Sequence, residues 1–134
     1  MDATFLAKIR SDFPEIKFRQ GRKFAYRPPR TVIVGPKEPR DELLLLHELG
    51  HALSGHCVFL TDAMRLKMER EAWEKARELA SKYGVEFNEA AAEAELDTYR
   101  EWLHQKSSCH NCGLTRYQTP DGVYHCPRCE AFGA

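Results

Sequence analysis

The 134-residue chain predicts an α+β fold: a small N-terminal β-sheet, three main helices and a compact tail. Three observations predict it. Short runs rich in β-branched and aromatic residues lie within the first 34 positions, ahead of any long helical pattern. From about residue 39 to 106 the apolar residues recur at helical spacing. The tail from residue 107 carries two C-x-x-C pairs and too short a stretch to build an apolar core.

Taken in order, residues 3–11 read as a short helix. Residues 16–19 and 23–26 flank Gln20-Gly21-Arg22 and read as a hairpin. Thr31-Val32-Ile33-Val34 is β-branched throughout and reads as a third strand. Pro28-Pro29 and Gly35-Pro36 punctuate it. A helix over 39–55 follows, with Pro39, Asp41 and Glu42 at its start, where acids suit the dipole, and Gly55 as its stop. A second helix runs over 62–82 and ends at Tyr83-Gly84. Asn88 caps a third helix to Lys106, with Leu96, Tyr99, Trp102 and Leu103 on its apolar face. Residues 105–108 read as a linker, which divides the chain into domains 1–106 and 107–134.

Composition bounds the function. Length allows one modest domain plus an appendage. No apolar run is long enough to span a membrane, and no secretory signal follows Met1. Five cysteines, four of them in C-x-x-C pairs, point to a reducing cytoplasm. Cys57, the fifth, reads as a buried structural thiol. Net charge is zero but unevenly spread: residues 1–40 hold ten Lys/Arg against four acids, and residues 41–106 hold eight against fourteen. The basic stretch over 17–40 is a candidate contact for nucleic acid or an acidic partner, set against a reading as a solvated face complementing the acidic helices.

His47-Glu48-Leu49-Gly50-His51 is the most informative motif. On a helix, residues four apart share a face, so both imidazoles can reach one metal ion. Zinc takes imidazole nitrogen, and Glu48 stands where a general base for a water would stand. Leu43 to Leu46, Leu49, Ala52 and Leu53 make the helix apolar on most sides. It is therefore expected to be buried, where polar groups need a reason to be.

Zinc needs a third ligand. His56 lies five residues after His51, which does not meet the metzincin spacing. In the second helix Met68, Ala72, Trp73, Ala76, Leu79, Ala80 and Tyr83 form one stripe. Glu69 falls about 35° from its middle and Glu71 roughly 125° away, while Glu74 and Glu78 point outward. A buried carboxylate is costly unless partnered, so Glu69 is the expected third ligand and Glu71 the reserve.

With these residues in view, His47-Glu48-Leu49-Gly50-His51-Ala52-Leu53 followed by Glu69-Arg70-Glu71-Ala72-Trp73-Glu74-Lys75-Ala76 resembles the ImmA/IrrE family of small zinc metallopeptidases. The family pattern is an H-E-x-x-H helix, then Glu-x-x-Ala-x-x-x-Ala on a second helix. The interval from His51 to Glu69 is short for it. The resemblance covers roughly residues 30–80. It implies a minimal zincin-like fold, His47, His51 and Glu69 as zinc ligands, and Glu48 as base. Its members occur in bacteria, phages and mobile elements, and cleave or regulate DNA-binding repressors.

At the other end, Cys109-x-x-Cys112 and Cys126-x-x-Cys129 lie thirteen residues apart. Four thiolates satisfy tetrahedral zinc and close the site, as in a structural zinc ribbon over 107–134. Tyr117 and Val123-Tyr124 are expected to form a hairpin about Pro120-Asp121-Gly122. His110 and His125 read as surface neighbours of the knuckles.

The expected function is a zinc metallopeptidase with one catalytic and one structural Zn2+, acting on a protein substrate such as a DNA-bound regulator. Candidate oxyanion donors are His56, Tyr83, Tyr99 and His104. Two alternatives stand beside it. One is a SprT-like DNA-associated protease, since that family also joins H-E-x-x-H to a C-terminal ribbon but takes a third histidine. The other is a non-catalytic regulatory module binding nucleic acid or a protein partner through residues 17–40 and the ribbon.

Overall fold

The computed structural model describes residues 1–132; Gly133 and Ala134, at the end of the expected ribbon, lie outside the described residues. The architecture is α+β. Its elements are α1 (Ala3–Asp12), β1 (Lys17–Gln20), β2 (Ala25–Arg27), β3 (Thr31–Val34), α2 (Asp41–Leu53), α3 (Asp62–Tyr83), α4 (Glu89–Ser107), β4 (Tyr117–Gln118), β5 (Tyr124–His125) and α5 (Pro127–Phe132). Two compact units form, one from Met1–Cys57 with Met68–Asn88, the other from Val58–Lys67 with the chain from Glu89 onward. The boundary falls within α3.

In the first unit the sheet order is β1-β3-β2, with β1 parallel and β2 antiparallel to β3. The expected hairpin of β1 with β2 does not form, because β3 lies between them. The reason is burial. Val32 and Val34 are 0% and 3% exposed, and a strand that apolar belongs at the sheet centre. Gly21 supports this placement. Its N–H donates to the Val34 carbonyl at 2.9 Å, which carries the β1 pairing past its last residue. A Cβ at Gly21 would meet Ile33 Cγ2 at 2.3 Å.

Helix α2 packs on β2 and β3. Leu45, Leu46 and Leu49 are fully buried, each worth about 1.5–3 kcal/mol of transfer free energy. Gly50 is the point of closest approach to α3: a Cβ there would stand 2.5 Å from the Ala72 carbonyl oxygen. Along α3, Ala72, Trp73, Ala76, Leu79 and Ala80 are buried, Glu71 is intermediate, and Glu74 and Glu78 are exposed, as the helical stripe requires.

In the second unit, Ala92 and Leu96 of α4 are buried. The Arg65 guanidinium sits 5.0 Å from the Trp102 ring, 5.4 Å from Tyr99 and 5.7 Å from Phe59, a cation among aromatic faces. Asp62 gathers the Tyr124 hydroxyl at 2.7 Å and the Lys106 ammonium at 3.2 Å, while its own N–H donates to Gln118 Oε1 at 2.6 Å. Burial pushes the Asp62 carboxyl up, but these three partners outweigh it and hold it below the ordinary value. β4 and β5 pair antiparallel about Gly122, as the turn residues predict. Among the described residues no helix is long and apolar enough to cross a membrane.

Candidate metal centres

The first centre is set by three turns of two helices. His47 and His51, one turn apart on α2, are 7% and 9% exposed, and α3 presents Glu69, also 9% exposed. Glu69 Oε2 lies 2.6 Å from His51 Nε2, and Oε1 lies 3.5 Å from His47 Nε2. Both imidazoles therefore face one carboxylate through the same nitrogen type, each against a different oxygen. Glu48 Oε1 is 3.9 Å from His47 Nε2. The donor atoms of His47, Glu48 and His51 lie within 4.8 Å of one another, a group that could hold a metal ion. Burial raises the Glu69 carboxyl, but hydrogen bonds and charge from His47 and His51 reverse this and hold it well below the usual carboxylate range. Glu48 moves the other way: burial pushes it up, and the two histidines only partly offset this.

The close passage of α2 over Ala72 brings Glu69, nearly one turn earlier on α3, against both histidines. The rings are held by stacking. His47 lies on Trp73 with centroids 4.1 Å apart, and His51 lies parallel to Tyr26 at 5.6 Å. Tyr26 was read only as a strand residue. It comes from β2, and nothing local marks it, since its role depends on the strand order. Its hydroxyl donates to the His56 carbonyl and lies 2.9 Å from that of Pro29.

His56 is placed by the end of α2. Gly55 takes a left-handed conformation, φ 69°, which few residues other than glycine adopt cheaply. The chain doubles back, and the His56 N–H donates to the His51 carbonyl at 3.1 Å. The His56 ring is buried, with Nδ1 2.9 Å from His51 Nδ1 and Nε2 3.3 Å from Glu71 Oε1. It thus lies behind His51, outside the group formed with Glu69. Burial lowers the His56 pKa, His51 lowers it further, and Glu71 opposes both. Glu71, the reserve ligand, reaches His56 and not the Nε2 atoms.

Of the other expected donors, one is engaged and two belong to the second unit. The Tyr83 hydroxyl, pushed up to about 12 by burial and by Asp12, binds the Asp12 carboxylate at 2.5 Å. Tyr99 stacks on Arg65 in the second unit, and His104 is exposed there. Cys57 is exposed, contrary to the expected buried thiol; it is the last residue before the chain leaves the first unit.

The second centre is the cysteine cluster. Cys109, Cys112, Cys126 and Cys129 bring their sulfurs within 4.8 Å of one another and could hold a metal ion. Cys109 and Cys129 are 3.8 Å apart, and Cys112 and Cys126 are 3.4 Å apart. The four sulfurs are free thiols, with no disulfide joining them. N–H groups of Cys112 and Asn111 pull the Cys109 thiol down to about 6. Pro127 opens α5, whose first turn delivers Cys129. The cluster is compatible with a zinc ribbon. His125 has both ring nitrogens engaged, with Glu130 at 2.7 Å and Thr119 at 3.3 Å, and His110 is exposed.

Set against known proteins, the chain matches no family model, no curated protein and no solved structure.

Proposed function

We propose that the protein is a zinc-dependent metallopeptidase of minimal zincin-like fold, with a catalytic zinc at His47, His51 and Glu69 and a structural zinc in a C-terminal ribbon. One observation carries the reading: two buried histidine Nε2 atoms converge on opposite oxygens of one buried carboxylate, with a second carboxylate, Glu48, beside them. Packing alone gives no account of four such groups in an apolar interior. The donor set is nitrogen and oxygen with one more carboxylate in reserve, which suits an open, catalytic zinc site. Zinc held there would acidify a bound water and polarise a scissile carbonyl.

Glu48 is the proton carrier in this reading. Its raised pKa brings it closer to that of the water it must deprotonate, and the same carboxyl then protonates the leaving amine. The ribbon is supported by its sulfur spacing. Tetrahedral zinc with bonds near 2.3 Å needs sulfurs about 3.8 Å apart, close to the 3.4 and 3.8 Å observed. The test is Glu48→Gln on the full chain. It should keep both zinc ions and lose about 10²–10⁴-fold in peptide cleavage. Retained cleavage rejects the mechanism.

A second reading is favoured by the sheet register. Lys17 and Arg27 both oppose Thr31, and Arg19 lies two residues on, so the three share the outer face and all are exposed. Among the described residues no acidic side chain pairs with any of them, which leaves all three free to meet solvent or a polyanion. Three exposed cations on one face support reading it as a phosphate-contacting surface of a regulatory or DNA-associated protein. It predicts nucleic-acid binding that weakens steeply with salt and is lost when Lys17, Arg19 and Arg27 are changed to Glu. Absence of binding at low salt rejects it.

A further inference from the structure

The hydrogen-bond polarity behind His51 can be worked out from one end. A carboxylate only accepts, so Glu71 Oε1 requires His56 Nε2 to carry a proton. A neutral imidazole has one N–H, which leaves His56 Nδ1 as an acceptor. His51 Nδ1, 2.9 Å away, must then be the donor. A neutral His51 consequently turns the lone pair of Nε2 toward Glu69 Oε2, 2.6 Å away. Two acceptors that close need a cation between them, a proton where no metal is bound and the metal ion where one is. His47 has no such support: its Nδ1 is buried without a hydrogen-bond partner among the described residues, and stacking on Trp73 is what holds the ring.

We propose that His56 and Glu71 are positioning residues for the metal centre, a two-step relay that holds His51 in its Nδ1–H tautomer and so keeps Nε2 free as a ligand. The proposal rests on the metal-site reading of His47, His51 and Glu69. It also accounts for two polar groups that the chemistry itself does not use, a buried His56 and a Glu71 that faces it. Gly55 is the structural cause, since its left-handed turn is what returns His56 to the back of His51.

The test measures zinc affinity of the full chain by competition with a chromophoric chelator. Partners of ligating histidines typically contribute 10–100-fold to metal affinity. His56→Phe should therefore weaken zinc at the histidine centre by about 10–100-fold, with the cysteine centre as an unchanged internal control. His56→Asn, which can place an acceptor oxygen near the lost Nδ1, should recover most of that affinity. An independent readout uses the wild-type protein. Nitrogen-15 NMR should show a proton on His51 Nδ1 with coupling across the hydrogen bond to His56 Nδ1, and a proton on His56 Nε2. The reverse polarity overturns the proposal, as does a folded His56→Phe that binds zinc as tightly as wild type. If His56→Phe does not fold, the NMR polarity decides alone. Wild type that binds zinc only at the cysteines overturns the metal-site reading and this inference together. Two zinc ions with an indifferent His56→Phe overturns this inference only.

Discussion

Position 69 shows how one residue can be read from periodicity alone. Glu69 lies on the inward stripe of α3, and its carboxylate meets both histidines of the H-E-x-x-H motif. Elemental analysis should find about two zinc ions per wild-type chain and about one in Glu69→Ala, while Glu71→Ala keeps two when zinc is saturating. Loss of zinc in Glu71→Ala alone would make Glu71 the ligand. The motif residues and Glu69 were readable because a helix fixes directions over short spans. His56 was not placed, although Gly55 before it carried the signal: a left-handed glycine ending a helix returns the next residue toward the last turn. Tyr26 and the exposure of Cys57 depend on contacts remote in sequence and left no local trace.

At the scale of elements, α1 to α4 appeared in the sequence within a residue or two, because they carry apolar stripes or end signals, whereas α5, inside the expected ribbon, was not foreseen. Strand order did not. Residues 16–26 look like a hairpin locally, and only the burial of β3 decides that it enters between β1 and β2. The contact of α2 with α3 is equally non-local. Gly50→Ala should lower stability by about 1–3 kcal/mol, because the added methyl meets a backbone carbonyl that cannot swing aside as a side chain would. Chemical denaturation measures it, and an unchanged midpoint would mean that the helices separate freely. Gly55→Ala has open space around it, so its cost of about 1–2 kcal/mol is conformational. It should also loosen zinc at the histidine centre, which a competition titration would register.

For the molecule as a whole, the two units should respond differently to conditions. The cysteine segment has little core beyond its sulfurs, so on the proposed zinc reading chelation should unfold it while α1 to α3 keep their helical circular dichroism. Acid acts through Asp62. Its folded pKa is depressed, so its contribution is complete above the ordinary carboxylate value and is lost as pH falls through the lower folded value. The stability gap between wild type and Asp62→Asn should be largest above about pH 5 and close progressively below about pH 4. Thermal melts across that range check it, and a gap that stays constant would show that Asp62 acts through packing alone. Gly50 has one further consequence, for how relatives of this chain are to be sought. A pattern written H-E-x-x-H treats the position before the second histidine as free. In this architecture it is not, because a β-carbon there would stand 2.5 Å from the Ala72 carbonyl oxygen, and α2 and α3 would have to shift against one another where Glu69 meets the histidines. A chain sharing this centre should therefore read H-E-x-G-H, and one with a larger residue at that place should draw its third ligand from somewhere other than the equivalent turn of α3.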